Sequence, residues 1–184
     1  MGRLTFIIGG ARSGKSHYAE KLAKESGKKV SYLATSIPFD EGMKNRIQKH
    51  RESRPKEWIT IEKYRDFDKI LESKEYEETD IFLLDCITIM INNLMFYSNL
   101  DFDNCTVEQV EDLEKEIIEQ IEKLLALSEY KDMIIVSNEV GMGLVPTYKM
   151  GNYYRDIVGR VNQRIASKAD EVFFLISGLP MKLK

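Results

Sequence analysis

The segment Gly9-Gly10-Ala11-Arg12-Ser13-Gly14-Lys15-Ser16 fits the pattern G-x-x-x-x-G-K-[ST] without a gap. In a chain of this size such a match arises by chance only about one time in a hundred. Its context narrows the choice further, because the apolar run 4–8 precedes it and a helix-like stretch begins at Ser16. A glycine turn with an incidental lysine requires neither flank, whereas a phosphate-binding loop requires both. The glycines let backbone N–H groups turn inward around phosphate oxygens, and the following helix aims its positive end at them. Lys15 is expected to bridge the β- and γ-phosphates, and the Ser16 hydroxyl to ligate Mg²⁺. The chain is therefore predicted to bind a nucleoside triphosphate and to carry out phosphoryl-type chemistry with it.

Further along, short apolar runs at 30–34, 81–84, 133–136 and 172–176 repeat the character of 4–8. They are nearly continuous in β-branched and large apolar residues, as strands covered on both faces must be. The run 58–62 alternates instead and is expected to be a weaker or edge strand. Between the runs lie helical patterns. One spans 16–26 and stops at Gly27. Another opens at Thr106-Val107-Glu108-Gln109 with capping-box spacing and carries an apolar stripe from Val107 to Leu125. A third covers 152–168. Strands alternating with helices predict a mostly parallel, doubly wound α/β sheet of the P-loop NTPase kind with flanking helices. No repeat or Pro/Gly-rich linker divides the 184 residues, so 1–184 is read as one domain.

Composition excludes several classes. A net charge of −3, with lysines and arginines dispersed, gives no reason to expect a nucleic-acid partner. Cys86 and Cys105 form no CxxC pair, which speaks against a cysteine-rich zinc site and leaves reduced structural thiols. No apolar run approaches the length of a membrane span and no signal-peptide h-region is present, so a cytoplasmic enzyme is expected.

A phosphate loop needs a carboxylate near its metal. Asp85 ends the run 81–84, where side chains emerge at the carboxyl edge of a parallel sheet. The competing reading is a strand-terminal Asp that caps the helix starting near Thr88. No N-K-x-D stretch marks a switch GTPase, and the length falls short of a motor or transporter ATPase, so a small-molecule kinase is the first expectation. His17, on the first turn after the loop, is expected to have a helix-surface or packing role. His50 lies in the stretch 43–55, read as a helix ending near Pro55, with Arg46, Arg51 and Arg54 on or beside its face. Neighbouring positive charge keeps an imidazole neutral and nucleophilic, and arginines hold phosphate oxygens with paired donors. A solvated basic helix with one exposed histidine is the alternative that spacing alone leaves open.

Six segments together resemble one known family. They are the phosphate loop from Ile8, Tyr32-Leu33-Ala34-Thr35-Ser36, Arg46-Ile47-Gln48-Lys49-His50-Arg51, Leu84-Asp85-Cys86-Ile87-Thr88, the run from Val136-Ser137-Asn138-Glu139 to Gly143, and Gly159-Arg160-Val161-Asn162-Gln163-Arg164. They look like the bifunctional adenosylcobinamide kinase / adenosylcobinamide-phosphate guanylyltransferase family, over nearly the whole chain and in the same order. The resemblance implies two reactions. A corrinoid hydroxyl takes the γ-phosphoryl of ATP or GTP; GTP then delivers GMP to a histidine, releasing pyrophosphate, and the corrinoid phosphate displaces that histidine. By motif position the histidine is His50. A covalent phosphoramidate splits one difficult substitution into two in-line ones. The resemblance carries nucleotide contacts to the loop, to Ala34, Thr35 and Ser36, to Arg51, Glu52, Ser53 and Arg54, to Glu62 and to Asp85. Asp85 stands where the family often has glutamate. Glu62 could accept from guanine or bind ribose hydroxyls. The resemblance also implies Mg²⁺, a homotrimer, and an added antiparallel strand near 179–184. A single-function kinase, needing Lys15 but not His50, and a regulatory triphosphate-binding module are the competing readings.

Overall fold

The computed structural model describes residues 2–37, 41, 48, 51–52 and 54–184. His50 and Ser53 lie outside the described residues, as does most of the helix expected over 43–55. Seven strands form one sheet: β1 (Leu4–Gly9), β2 (Val30–Ala34), β3 (Ile59–Glu62), β4 (Ile81–Asp85), β5 (Asp132–Asn138), β6 (Glu171–Ile176) and β7 (Leu179–Lys182). Their order is β3-β2-β4-β5-β1-β6-β7. The first six run parallel and β7 pairs antiparallel with β6, so the C-terminal reversal expected at 179–184 is present. The alternating run 58–62 is indeed an edge strand, half-buried where the central strands are fully covered.

The helices that lie wholly among the described residues are α1 (Lys15–Glu25), α2 (Lys74–Glu78), α3 (Ile87–Phe96), α4 (Val107–Ala126) and α5 (Lys149–Lys168). Thr106 forms both hydrogen bonds of the capping box with Gln109, which fixes where α4 starts. Helix α5 begins three residues before the expected 152. Neither α2 nor the short 3-10 turn at Phe67–Ile70 was foreseen; both are too brief to show a period.

Strand parity sorts the core into two layers. Phe6, Ile8, Leu33, Phe82, Leu84, Met133 and Ile135 face the larger layer, packed under α3, α4 and α5. Ile7, Tyr32, Ala34, Leu83, Ile134 and Val136 face the other, where α1 presents Ala19 and Ala23. Small residues there let α1 lie close to the sheet. The same alternation decides which groups reach the functional edge. Asp85 is two residues beyond Leu83 and Asn138 two beyond Val136, so both point to the α1 side.

Candidate active site: a phosphate loop facing two arginines

Between β1 and α1 the chain turns through the glycine loop, and three backbone or side-chain contacts fix it. The Glu139 N–H donates to the Gly9 carbonyl at 2.9 Å, and the Gly178 N–H donates to the Ser13 carbonyl at 2.8 Å. Inside the loop, Lys15 Nζ donates to the Gly10 carbonyl at 2.6 Å. Gly14 takes φ of 94°, and a Cβ there would sit 3.1 Å from the Gly178 Cα. This position therefore needs glycine for both its backbone angle and its close approach. Lys15 is buried, and burial lowers its pKa below that of an ordinary lysine, while Cys86 and Asp85 nearby act in the opposite direction. A bound polyphosphate would supply the negative charge this ammonium lacks.

A cleft of about 410 Å³ opens beside the loop. From the sequence-derived set it brings together Arg12, Ser13, Gly14, Lys15 and Ser16 with Ala34, Ser36, Arg51, Arg54, Glu62 and Asp85. These residues come from segments up to 73 positions apart, counting from Arg12 to Asp85. Gly9, Gly10 and Ala11 shape the loop without lining the cleft. Thr35 is buried and turned away: its hydroxyl donates to the Cys86 carbonyl at 2.9 Å and accepts from the Cys86 N–H at 3.1 Å. Glu52 is exposed and accepts from Gln48. His17 stands exposed at the cleft rim.

Asp85 does not cap α3; Cys86 holds the N-cap position, without a side-chain cap bond. Its carboxylate instead accepts a hydrogen bond from the Tyr32 hydroxyl at 3.2 Å. Burial, and secondarily Asp85, raise the Tyr32 pKa well above that of a free phenol, so the hydroxyl keeps its proton. The Arg54 guanidinium lies over the Tyr32 ring, 3.3 Å from its centroid. The Cys86 thiol is pushed up to about 11 by burial and then by Asp85, and so stays protonated. That disqualifies it as a nucleophile at neutral pH.

Tyr32, Cys86, Ile89 and Val136 also line the cleft but were not singled out as contacts from sequence; Asn138, whose turn at the carboxyl edge of the sheet favours a substrate or subunit contact, joins them. Strand parity was the available signal, since Tyr32 and Asn138 share the face of Asp85. Beneath them a polar scaffold ties β5 to the helices. Asn138 donates to the Thr88 hydroxyl at 2.6 Å. Ser137 donates to Asn162 on α5 at 2.7 Å, and Asn162 donates back to the Asn138 carbonyl at 3.1 Å. Tyr154 donates to the Thr88 carbonyl at 3.0 Å. The SNEVG and GRVNQR segments are thus two halves of one support.

A parallel sheet whose first strand feeds a glycine loop with a buried lysine, facing a carboxylate and two arginines, defines a phosphate-loop nucleotide-binding protein. The family model described as cobinamide kinase / cobinamide phosphate guanyltransferase matches residues 5–183. The chain belongs to that family. It is 38% identical to the bifunctional adenosylcobalamin biosynthesis protein CobU of Escherichia coli K12, over 98% of this chain and 99% of that one. To the bifunctional protein CobP of Pseudomonas aeruginosa it is 41% identical, over 97% and 95% of the two chains. Among solved structures, the RadB recombinase superposes with a TM-score of 0.47 at 16% identity, covering 94% of this chain and 74% of its own.

Proposed function

We propose that this chain phosphorylates adenosylcobinamide with ATP or GTP, then transfers GMP from GTP through a guanylyl-histidine to give adenosylcobinamide-GDP. The observation that carries this reading is one cleft lined by two sets of phosphate-binding groups: Lys15 and Ser16 from the glycine loop, and Arg51 and Arg54 from the segment after His50. A single triphosphate laid along it offers its γ-phosphorus for the first reaction and its α-phosphorus for the second. Family membership makes both reactions transfers, and the enzyme a transferase. In the first, the corrinoid hydroxyl attacks the γ-phosphorus and the nucleoside diphosphate leaves. In the second, a neutral imidazole nitrogen of His50 attacks the α-phosphorus and pyrophosphate leaves; the corrinoid phosphate then displaces the histidine.

The Ser16 hydroxyl and the Asp85 carboxylate, both on this cleft, are hard oxygen donors of the kind Mg²⁺ selects. Bound there, Mg²⁺ would neutralise phosphate charge. Glu62, at the cleft wall on β3, is assigned to the ribose or guanine of the nucleotide. Ile176, Leu179, Met181 and Leu183 are exposed at the C-terminal hairpin, an apolar edge that supports assembly into the homotrimer. No described helix is long and apolar enough to cross a membrane, and we place the enzyme in the cytoplasm.

Incubation with α-labelled GTP tests the central claim. Acid-labile, base-stable label on the wild type and none on His50→Ala is the expected result. Label persisting on His50→Ala, or no label on an active wild-type protein, would overturn it. A single-function kinase would lose γ-transfer in Lys15→Ala and keep it unchanged in His50→Ala.

A further inference from the structure

Tyr32 has no role in the chemistry above, yet it touches two groups that do. Its ring is 2% exposed, on the α1-facing side of β2. The hydroxyl donates to Asp85 Oδ2 at 3.2 Å, and Arg54 covers the ring at 3.3 Å. Arg54 Nε is buried and has no hydrogen-bond partner among the described residues, and the guanidinium rests on the ring. Among the described residues no carboxylate forms a salt bridge with Arg54, beside a cleft built for phosphate. A phenol has one proton to give, and donating it to Oδ2 orients the carboxylate while leaving Oδ1 for a ligand.

We infer that Tyr32 is a positioning residue for the nucleotide: one side chain aims Asp85 with its hydroxyl and seats Arg54 with its ring, joining two groups that line the cleft. Tyrosine alone meets both demands. Phenylalanine keeps the platform and loses the aim, and leucine loses both. A flat ring also suits the planar guanidinium better than an ammonium. The inference rests on the triphosphate reading of the cleft.

The test is equilibrium titration of the full chain with GTP and Mg²⁺, read calorimetrically, in two mutant cycles. Tyr32→Phe should weaken GTP binding about three-fold, at the low end of what one hydrogen bond contributes, because the hydroxyl acts on the ligand only through Asp85. In an Asp85→Ala background, which removes the acceptor, the same change should have no effect. Tyr32→Leu should weaken binding about ten-fold, adding loss of the cation–π seat to loss of the hydroxyl. The difference between Tyr32→Leu and Tyr32→Phe should vanish when Arg54 is alanine. Arg54→Lys, with charge kept and plane lost, should fall with Arg54→Ala and not with the wild type. Thermal unfolding identifies a variant that fails to fold, and Tyr32→Phe keeps the packing in any case. Tyr32→Phe and Tyr32→Leu both matching a GTP-binding wild type would overturn this inference alone, as would full additivity in both cycles. A folded wild type that binds no triphosphate would overturn the functional reading with it.

Discussion

The loop side and the arginine side of the cleft lining are built differently. At the phosphate loop, backbone hydrogen bonds from Glu139 and Gly178 anchor the turn to β5 and to the β6–β7 reversal. Lys15 is held at the Gly10 carbonyl before any ligand arrives. On the arginine side, Arg54 rests on the face of Tyr32, and Arg51 is exposed. One side is preorganised by main chain, which costs no reorganisation when phosphate binds. The other depends on side-chain stacking, which a ligand can rearrange cheaply. On the proposed reading this difference divides the labour: the loop would serve both cleavages, and the arginines mainly the α-phosphate.

The comparison breaks first at Lys15. Lys15→Ala should lower both γ-phosphoryl transfer and GMP labelling by about a hundred-fold or more, the scale for removing a preorganised charge at a transferring phosphoryl group. If GMP labelling survives, the loop does not serve both reactions. Next, Asn162→Ala should destabilise the fold by about 1–3 kcal/mol, because Ser137 and the Asn138 carbonyl would be left unpaired in a buried site. Chemical denaturation measures it, and an unchanged midpoint would mean that the support under β5 is dispensable. Gly14→Ala should cost about 1–2 kcal/mol through its left-handed backbone and the approach to Gly178. Arg54→Ala should reduce GMP labelling about ten-fold while γ-transfer changes less, as fits one charge-assisted contact. Equal losses in the two assays would erase the distinction between the sides.

The smallest effect concerns pH. Burial lowers the Lys15 pKa in the folded protein from the ordinary 10.5. Between those two values the unfolded chain holds more protons than the folded one, so this group makes stability rise with pH across that window. Below the folded pKa its contribution is constant. Subtracting the unfolding free energy of Lys15→Met from that of the wild type should reveal a positive slope just below pH 10.5, and a flat difference would deny that the lysine is desolvated.

Much of this was legible beforehand. The buried strands β1, β2, β4 and β5, the edge character of β3 and the Thr106 cap follow from local pattern, because a strand covered on both faces can contain little but apolar residues; β6 was expected to be equally covered, but it is only half-buried, with Ile176 exposed. Lys15, Ser16 and Asp85 were legible because motif and strand end each predict a side-chain position. Tyr32 was not, because a tyrosine inside an apolar run looks like core until its hydroxyl has a partner. Thr35 was expected at the nucleotide and instead bonds the backbone at Cys86, a contact between β2 and β4 that no local spacing announces. Asn162 read only as part of a segment, since its partners lie 24 and 25 residues away.

By itself, then, the sequence determined the phosphate loop, the alternation of strands and helices, and the family, because each is written in residues close together in the chain. Only the tertiary structure decided that Arg54, Tyr32 and Asp85 form one chain of contacts across the cleft. Strand order brings β2 beside β4, and parity turns Tyr32 and Asp85 to the same face. Sheet pairing is a long-range choice made by the whole core, and it cannot be read from any one of its strands.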